Sequence, residues 1–258
     1  MRPNISNCHA LPGTLIIFEG PDGSGKTTQI KALKKMLQAE GRKVTISSWK
    51  SAPILGDFMK ANEALKKVDE RILPETSLFF QAGDLAYRIE REIIPAMKKN
   101  HIVILDRSTQ TLIVRGLMLG MQEEQLTKGL LWWRNSIYKE LFDKAITIHI
   151  KIGLEESLKR LSKRGLSENI SSKKKGDHPE GTLLALDFIN NLIYSPEGKK
   201  MTRNDKKAII RKTQNNIIET YNKIFESDTK SHPIILNGED SVKQVEEALK
   251  RQLIDQII

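Results

Sequence analysis

The sequence predicts an α/β protein built on a five-stranded, mostly parallel sheet with helices on both faces and a lid segment. Three observations carry that expectation. Five short apolar runs are separated by helical patterns, a glycine-rich turn links the first run to the first helix, and another run ends in an acidic residue where a parallel sheet opens its ligand crevice.

The runs expected as strands are Leu15 to Phe18, Val44 to Ile46, Ile102 to Leu105, Ile146 to Ile152 and Ile234 to Leu236. After the first, Ile30, Leu33, Met36 and Leu37 recur at helical spacing and Gly41 marks a stop. The stretch Pro74 to Lys99 opens with proline at a first helical position and places Leu78, Ala82, Leu85, Ile89 and Ile93 on one side. Ser241 and Gln244 form a capping box for a closing helix whose stripe is Val242, Val245, Leu249, Leu253 and Ile257. Strands alternating with helices imply crossovers and a covered sheet. The expected organisation is a flexible tail over residues 1–13 and one domain over 14–258. A lid and a Lys-, Asn- and Ser-rich insertion fall within about 154–211.

At 258 residues the chain is long enough to bury a core without staples, and no apolar run approaches the ~18 residues of a membrane span. The first thirteen residues lack the apolar stretch of a secretory signal. Cys8 is the only cysteine, which fits a reducing compartment, the cytoplasm. The formal net charge of +10 suits either nucleic acid or small anionic substrates. Its excess lies in Lys173, Lys174, Lys175 and Lys199 to Lys212, without interleaved aromatics, which weighs against nucleic acid. Cys8-His9 has no partners at metal-ligand spacing, and Trp132-Trp133 reads as core or subunit-interface anchors.

Gly20-Pro21-Asp22-Gly23-Ser24-Gly25-Lys26-Thr27 matches the phosphate-loop pattern G-x-x-x-x-G-K-T between strand and helix, the context its mechanism requires. Its glycines let main-chain N–H groups turn onto phosphates, and the helix N-terminus adds partial positive charge. Lys26 is expected to reach the outer phosphates of ATP and Thr27 to ligate Mg2+. The sheet is therefore expected to belong to the P-loop NTPase fold. Asp106, at the end of Ile102 to Leu105, is a second expected Mg2+ ligand, and Arg107 beside it a bidentate phosphate grip. No His or Asp near the loop is recognisable as a general base, which favours a phosphate oxygen over an alcohol as the acceptor.

These residues resemble the thymidylate kinase family. The likeness rests on Phe18-Glu19-Gly20 through Lys26-Thr27-Thr28, then Pro74-Glu75-Thr76, Ala82-Gly83-Asp84, Ile94-Pro95-Ala96, Asp106-Arg107 and Ile235-Leu236-Asn237-Gly238, in the family's order. The resemblance implies ATP and dTMP as substrates, Mg2+ as cofactor and a homodimer. It implies that Asp22 contacts the acceptor sugar and Arg107 the acceptor phosphate. Gly23 stands where some relatives carry a catalytic arginine. The resemblance then assigns that charge to the lid, where Arg160, Lys163 and Arg164 are the candidates; the alternative for Arg160 and Arg164 is a solvated helix face.

Departures cluster at the acceptor side. Ser108 replaces the family's tyrosine, Arg115-Gly116 its Tyr-Gln-Gly, and Leu85 its arginine, with Arg88 nearby. Pro53-Ile54-Leu55-Gly56 is what remains of a Pro-Gly-Gly segment. Phe79 stacks on a base or packs in the core. The leading expectation is ATP + dTMP giving ADP + dTDP. The alternatives are a kinase for another monophosphate or phosphorylated acceptor, and a regulatory module that binds ATP without turnover.

Overall fold

The computed structural model describes residues 11–65, 70–122, 124, 126, 138–163, 200–228 and 232–257. In chain order the elements are β1 (Thr14–Glu19), α1 (Lys26–Ala39), β2 (Val44–Ser47), α2 (Pro53–Ala64), α3 (Pro74–Arg88), a π turn (Ile89–Ile93), α4 (Ile94–Lys98), β3 (Ile102–Asp106) and α5 (Thr109–Met118). There follow α6 (Lys139–Asp143), β4 (Ile146–Lys151), α7 (Leu154–Lys163), α8 (Arg203–Ser227), β5 (Ile234–Asn237) and α9 (Val242–Ile257). The strands stand in the order β2-β3-β1-β4-β5, every neighbouring pair parallel.

The strands read as unbroken apolar runs because both faces of the sheet are covered. Leu15, Ile17, Val103 and Leu105 point to one face, where Leu85, Ile89, Ile93 and Met97 close over them. Ile16, Phe18, Ile102, Ile104, Ile148, Ile150, Ile234 and Leu236 point to the other, against Ile30, Leu33 and Leu37 of α1 and Val245, Leu249 and Leu253 of α9. Burying a side chain of this kind contributes roughly 1.5–3 kcal/mol. The central β1 and β3, with Ile16, Phe18, Val103 and Ile104 all at 0% exposure, form the rigid base on which the loops stand.

Several expectations need correction. The Pro74 to Lys99 stretch is not one helix. Pro95 has no N–H to give the preceding turn, and the chain accommodates it through the π turn, in which Ile94 N–H reaches back five residues to the Ile89 carbonyl. Pro53-Ile54-Leu55-Gly56, to which the sequence pattern assigns no element, forms the first turn of α2, with proline at its start. The basic stretch assigned to an insertion contains the beginning of α8. Thr202 Oγ1 accepts from Asp205 N at 3.2 Å and Asp205 Oδ2 accepts from Thr202 N at 3.0 Å, a reciprocal cap that fixes the start of the helix. From there Ile210, Gln214, Ile217, Ile218, Tyr221 and Phe225 form one buried stripe.

The capping box on α9 forms as expected, Gln244 Oε1 accepting from Ser241 N at 2.9 Å. Within the expected tail, Leu11 packs on the core and Gly13 N donates to Met97 O at 3.0 Å. Cys8, His9, Trp132, Trp133, Arg164 and Lys173 to Lys175 lie outside the described residues. No helix among the described residues is long and apolar enough to cross a membrane.

His149 of β4 sits in the small core under α8, fully buried, its ring stacked on Phe225 at 4.3 Å between centroids. Burial lowers its pKa from 6.5 to about 4. The unfolded chain therefore takes up a proton near pH 6.5 that the folded chain refuses until about 4, so this contribution to stability is complete above pH 6.5 and is lost as pH falls toward 4. Urea denaturation at pH 7 and pH 5 is expected to show about 2 kcal/mol less loss in His149→Phe than in wild type. Equal losses in the two proteins would remove His149 as the cause.

Candidate functional site

The carboxyl ends of β1, β3 and β4 lie side by side, and the loop of residues 20–25 rises from the middle strand. The loop needs its glycines for two separate reasons. Gly20 has φ 146°, and a Cβ there would stand 2.7 Å from the Ile150 carbonyl oxygen. Gly23 has φ 84°, and its Cβ would press on Ser157 of α7, 3.0 Å from Oγ and 3.1 Å from the carbonyl oxygen. Any side chain at position 23, arginine included, is strained there by the positive φ and crowded against Ser157. The same helix sends Arg160 to the loop, where Nη1 donates to Gly23 O at 3.2 Å while Nε donates to Glu156 at 2.9 Å.

Lys26 opens α1 and is 6% exposed. Its Nζ donates to Gly20 O and Pro21 O, both at 2.8 Å, with Ser24 Oγ at 3.5 Å. Burial first, then the Arg107 guanidinium, pull its pKa down to about 7. Thr27 and Thr28 are exposed on the first turn of α1, and Thr28 N and Gln29 N donate to Gly25 O.

Arg107 leaves β3 with φ 68°, a left-handed conformation that costs a side chain of this kind about 1–3 kcal/mol and concentrates at functional sites. Its N–H bonds to Phe18 O at 3.0 Å, so the strained residue is pinned to β1 beside the loop. Its Nη2 forms an ion pair with Asp22, and its Nη1 reaches Gly20 O at 3.4 Å and Tyr221 Oη at 3.3 Å. Burial opposes the charge, but Asp22 and the neighbouring groups outweigh it and hold the guanidinium above its ordinary pKa. Asp106 Oδ1 is buried with no hydrogen-bond partner among the described residues. A buried orphan carboxylate oxygen calls for a cation, and it fits an ion held by few protein groups together with phosphates. No three His, Cys, Asp or Glu side chains gather into a metal cage among the described residues.

The structure reveals partners that no local sequence pattern announces. Ser157 Oγ donates to Asp22 O at 2.9 Å, and Gln214 of α8 donates to Asp22 O at 3.1 Å and to Ser157 Oγ at 2.8 Å. Asp22 is thus held through its carboxylate by Arg107 and through its carbonyl by α7 and α8. Glu19, completely buried, accepts from Ser108 N, Ser108 Oγ and Thr111 Oγ1 at 2.6, 2.8 and 2.6 Å. Ser108, where the resembled family has tyrosine, is thereby turned into the protein.

The other residues expected on the acceptor side fall into two sets. Phe79 is 74% exposed on the outside of α3, which overturns its reading as core packing. On the inside, Asp84 accepts from Lys50 N at 3.1 Å, Ala52 N at 3.0 Å and Arg88 Nε at 2.9 Å, and so anchors the segment after β2. Arg88 is completely buried, with Nη1 and Nη2 unpartnered among the described residues, and its Cζ lies 5.5 Å from the Trp49 ring centre. Arg115 stacks on the same ring at 4.7 Å and donates to Gln81 Oε1.

Comparison with known proteins gives a consistent result. The family model described as thymidylate kinase matches residues 18–194. The thymidylate kinase of Caldanaerobacter subterraneus subsp. tengcongensis is 34% identical over 158 residues, covering 58% of this chain and 69% of the relative. That of Thermoanaerobacter sp. strain X514 is 32% identical over 162 residues, covering 60% and 73%. The "Probable thymidylate kinase 2" of Saccharolobus solfataricus is similar along nearly its whole length, 27% identical over 243 residues, covering 94% of this chain and 96% of the relative.

Proposed function

The chain belongs to the thymidylate kinase family, and from that premise we propose that it transfers the γ-phosphate of ATP to dTMP, giving ADP and dTDP. The observation that carries this reading is the coupling of Arg107 to the glycine loop through Asp22. It sets a guanidinium suited to gripping a phosphate beside the glycine loop at the start of α1, as transfer between two phosphates requires.

In this reading Gly20, Gly23, Ser24, Gly25, Lys26, Thr27 and Thr28 hold the triphosphate of ATP, with Asp22 and Arg107 on the acceptor. Lys26 leaves the carbonyls of Gly20 and Pro21 for the outer phosphates. Thr27 and Asp106 hold Mg2+, which when bound neutralises charge on the transferring group. Arg160, already on the loop, supplies the charge that Gly23 does not, with Arg164 as its companion candidate. Arg88 and Arg115 are assigned to the acceptor side, and Phe79, on the outside of α3, to the dimer surface. We place the protein in the cytoplasm as a homodimer. The dimer is supported by exposed apolar side chains on and beside the packed pair α2 and α3, among them Ile54, Leu73 and Phe79.

A second reading keeps the kinase and changes the acceptor. It is favoured by Leu85, which is completely buried where the family carries an arginine, and by Ser108, whose hydroxyl bonds to Glu19. A coupled ADP-release assay over a panel of nucleoside monophosphates tests both. dTMP is expected to accelerate ADP release most, and a different best acceptor would select the second reading. No acceleration by any of them above the ATP-only rate would overturn the kinase and leave a nucleotide-binding module.

A further inference from the structure

Tyr221 lies two turns after Gln214 on the buried stripe of α8 and reaches Arg107 from a helix 114 residues away in sequence. The hydroxyls around it permit one arrangement of protons. The Glu19 carboxylate can only accept, so the single hydroxyl proton of Thr111 is committed to Glu19 Oε2, at 2.6 Å. Thr111 Oγ1 and Tyr221 Oη lie 2.7 Å apart, and with the threonine proton spent, Tyr221 must be the donor. The lone pairs of Tyr221 are then left for Arg107 Nη1, at 3.3 Å. The order Arg107 to Tyr221 to Thr111 to Glu19 joins a guanidinium to a carboxylate through two hydroxyls, each bond polarising the next.

Glu19, Thr111, Tyr221 and Arg107 are between 0% and 5% exposed, so water does not compete along this chain. Burial, and then the charge of Glu19, push the Tyr221 phenol well above its ordinary pKa, and it remains a hydroxyl. The aromatic ring acts separately, lying near-parallel to His149 and Phe225 in a packing that phenylalanine would serve as well. Packing therefore does not account for the hydroxyl. With Nη2 paired to Asp22 and Nη1 to Tyr221, the plane of the guanidinium is set on both sides.

We propose that Tyr221 is a positioning residue for the acceptor site: through its hydroxyl, and with Thr111 and Glu19 behind it, it fixes the plane in which Arg107 meets the acceptor phosphate. This inference rests on the kinase reading above. It bears on the acceptor more than on ATP, because the chain ends on Arg107, whereas the triphosphate loop, which Arg107 also touches at Gly20 O and Asp22, is held in addition by Ser157 and Gln214 at Asp22 O.

The test is steady-state kinetics of Tyr221→Phe with dTMP, or with whichever monophosphate of the panel is the best acceptor. The acceptor KM is expected to rise about fivefold, the loss of one charge-assisted hydrogen bond, with the KM for ATP within twofold of wild type. Thr111→Val, which breaks the next link, should shift the acceptor KM in the same direction, and Thr111→Ser, which keeps the hydroxyl, should restore it. That pair decides the matter if Tyr221→Phe does not fold. An acceptor KM unchanged in Tyr221→Phe, or acceptor and ATP KM rising together, would overturn the proposal while leaving the kinase intact. A wild-type protein inactive on every monophosphate would overturn both.

Discussion

Lys26→Met is expected to lower kcat/KM by about a thousandfold, the scale on which a preorganised charge at a developing anion contributes. Methionine keeps the length of the side chain and tolerates the buried site, so the melting temperature serves as the control for folding. A variant retaining more than a tenth of wild-type kcat/KM would remove Lys26 from the transfer. The same residue ties nucleotide binding to pH. In the free protein its pKa is about 7, because burial and Arg107 favour the neutral amine. A bound triphosphate supplies the opposite charge and raises it. Below pH 7 the lysine already holds its proton and ATP affinity is flat. Above pH 7 binding has to recruit that proton, and Kd rises toward tenfold per pH unit. Calorimetry at pH 8 in buffers of different ionisation enthalpy should read uptake of nearly one proton in wild type and none in Lys26→Met.

The parts of the site that were legible in the sequence are those whose chemistry is compressed into consecutive residues. The pattern from Gly20 to Thr27 encodes strand, turn and helix together, and Asp106-Arg107 marks the end of a buried strand by a change from apolar to charged. The sheet was legible for the same reason, since strands covered on both faces show as unbroken apolar runs. What was hidden depends on where a distant helix lies. Gln214 meets Asp22 across 192 residues, and Tyr221 meets Arg107 across 114. Neither contact has a local signature, and α8 itself was masked by a first half rich in lysine and arginine and by aspartate at the capping position usually held by glutamate. Phe79 shows the opposite case. It follows Leu78 directly, about 100° around the helix from the stripe of Leu78, Ala82, Leu85 and Ile89, so the periodicity already placed it outside the core.

Arg107→Lys is expected to lower kcat/KM for the acceptor by about a hundredfold, with the KM for ATP nearly unchanged. The substitution keeps the charge, so Asp22 retains a cation and the loop keeps its carboxylate anchor. It removes the planar fork, and with it the capacity to hold Asp22 on one nitrogen and Tyr221 on the other while presenting a fixed plane to a phosphate. An ammonium at the end of a flexible stem can satisfy one of those partners at a time. The backbone sharpens the comparison, because φ at this position is 68° and lysine bears the same left-handed strain as arginine, so the variant differs from wild type in the head group alone. Combining Arg107→Lys with Tyr221→Phe separates positioning from charge: once the fork is gone, loss of the hydroxyl should add less than a further twofold to the acceptor KM. Full additivity of the two effects would mean that Tyr221 acts by some route other than Arg107, and an acceptor kcat/KM within threefold of wild type in Arg107→Lys alone would take the arginine out of the acceptor site.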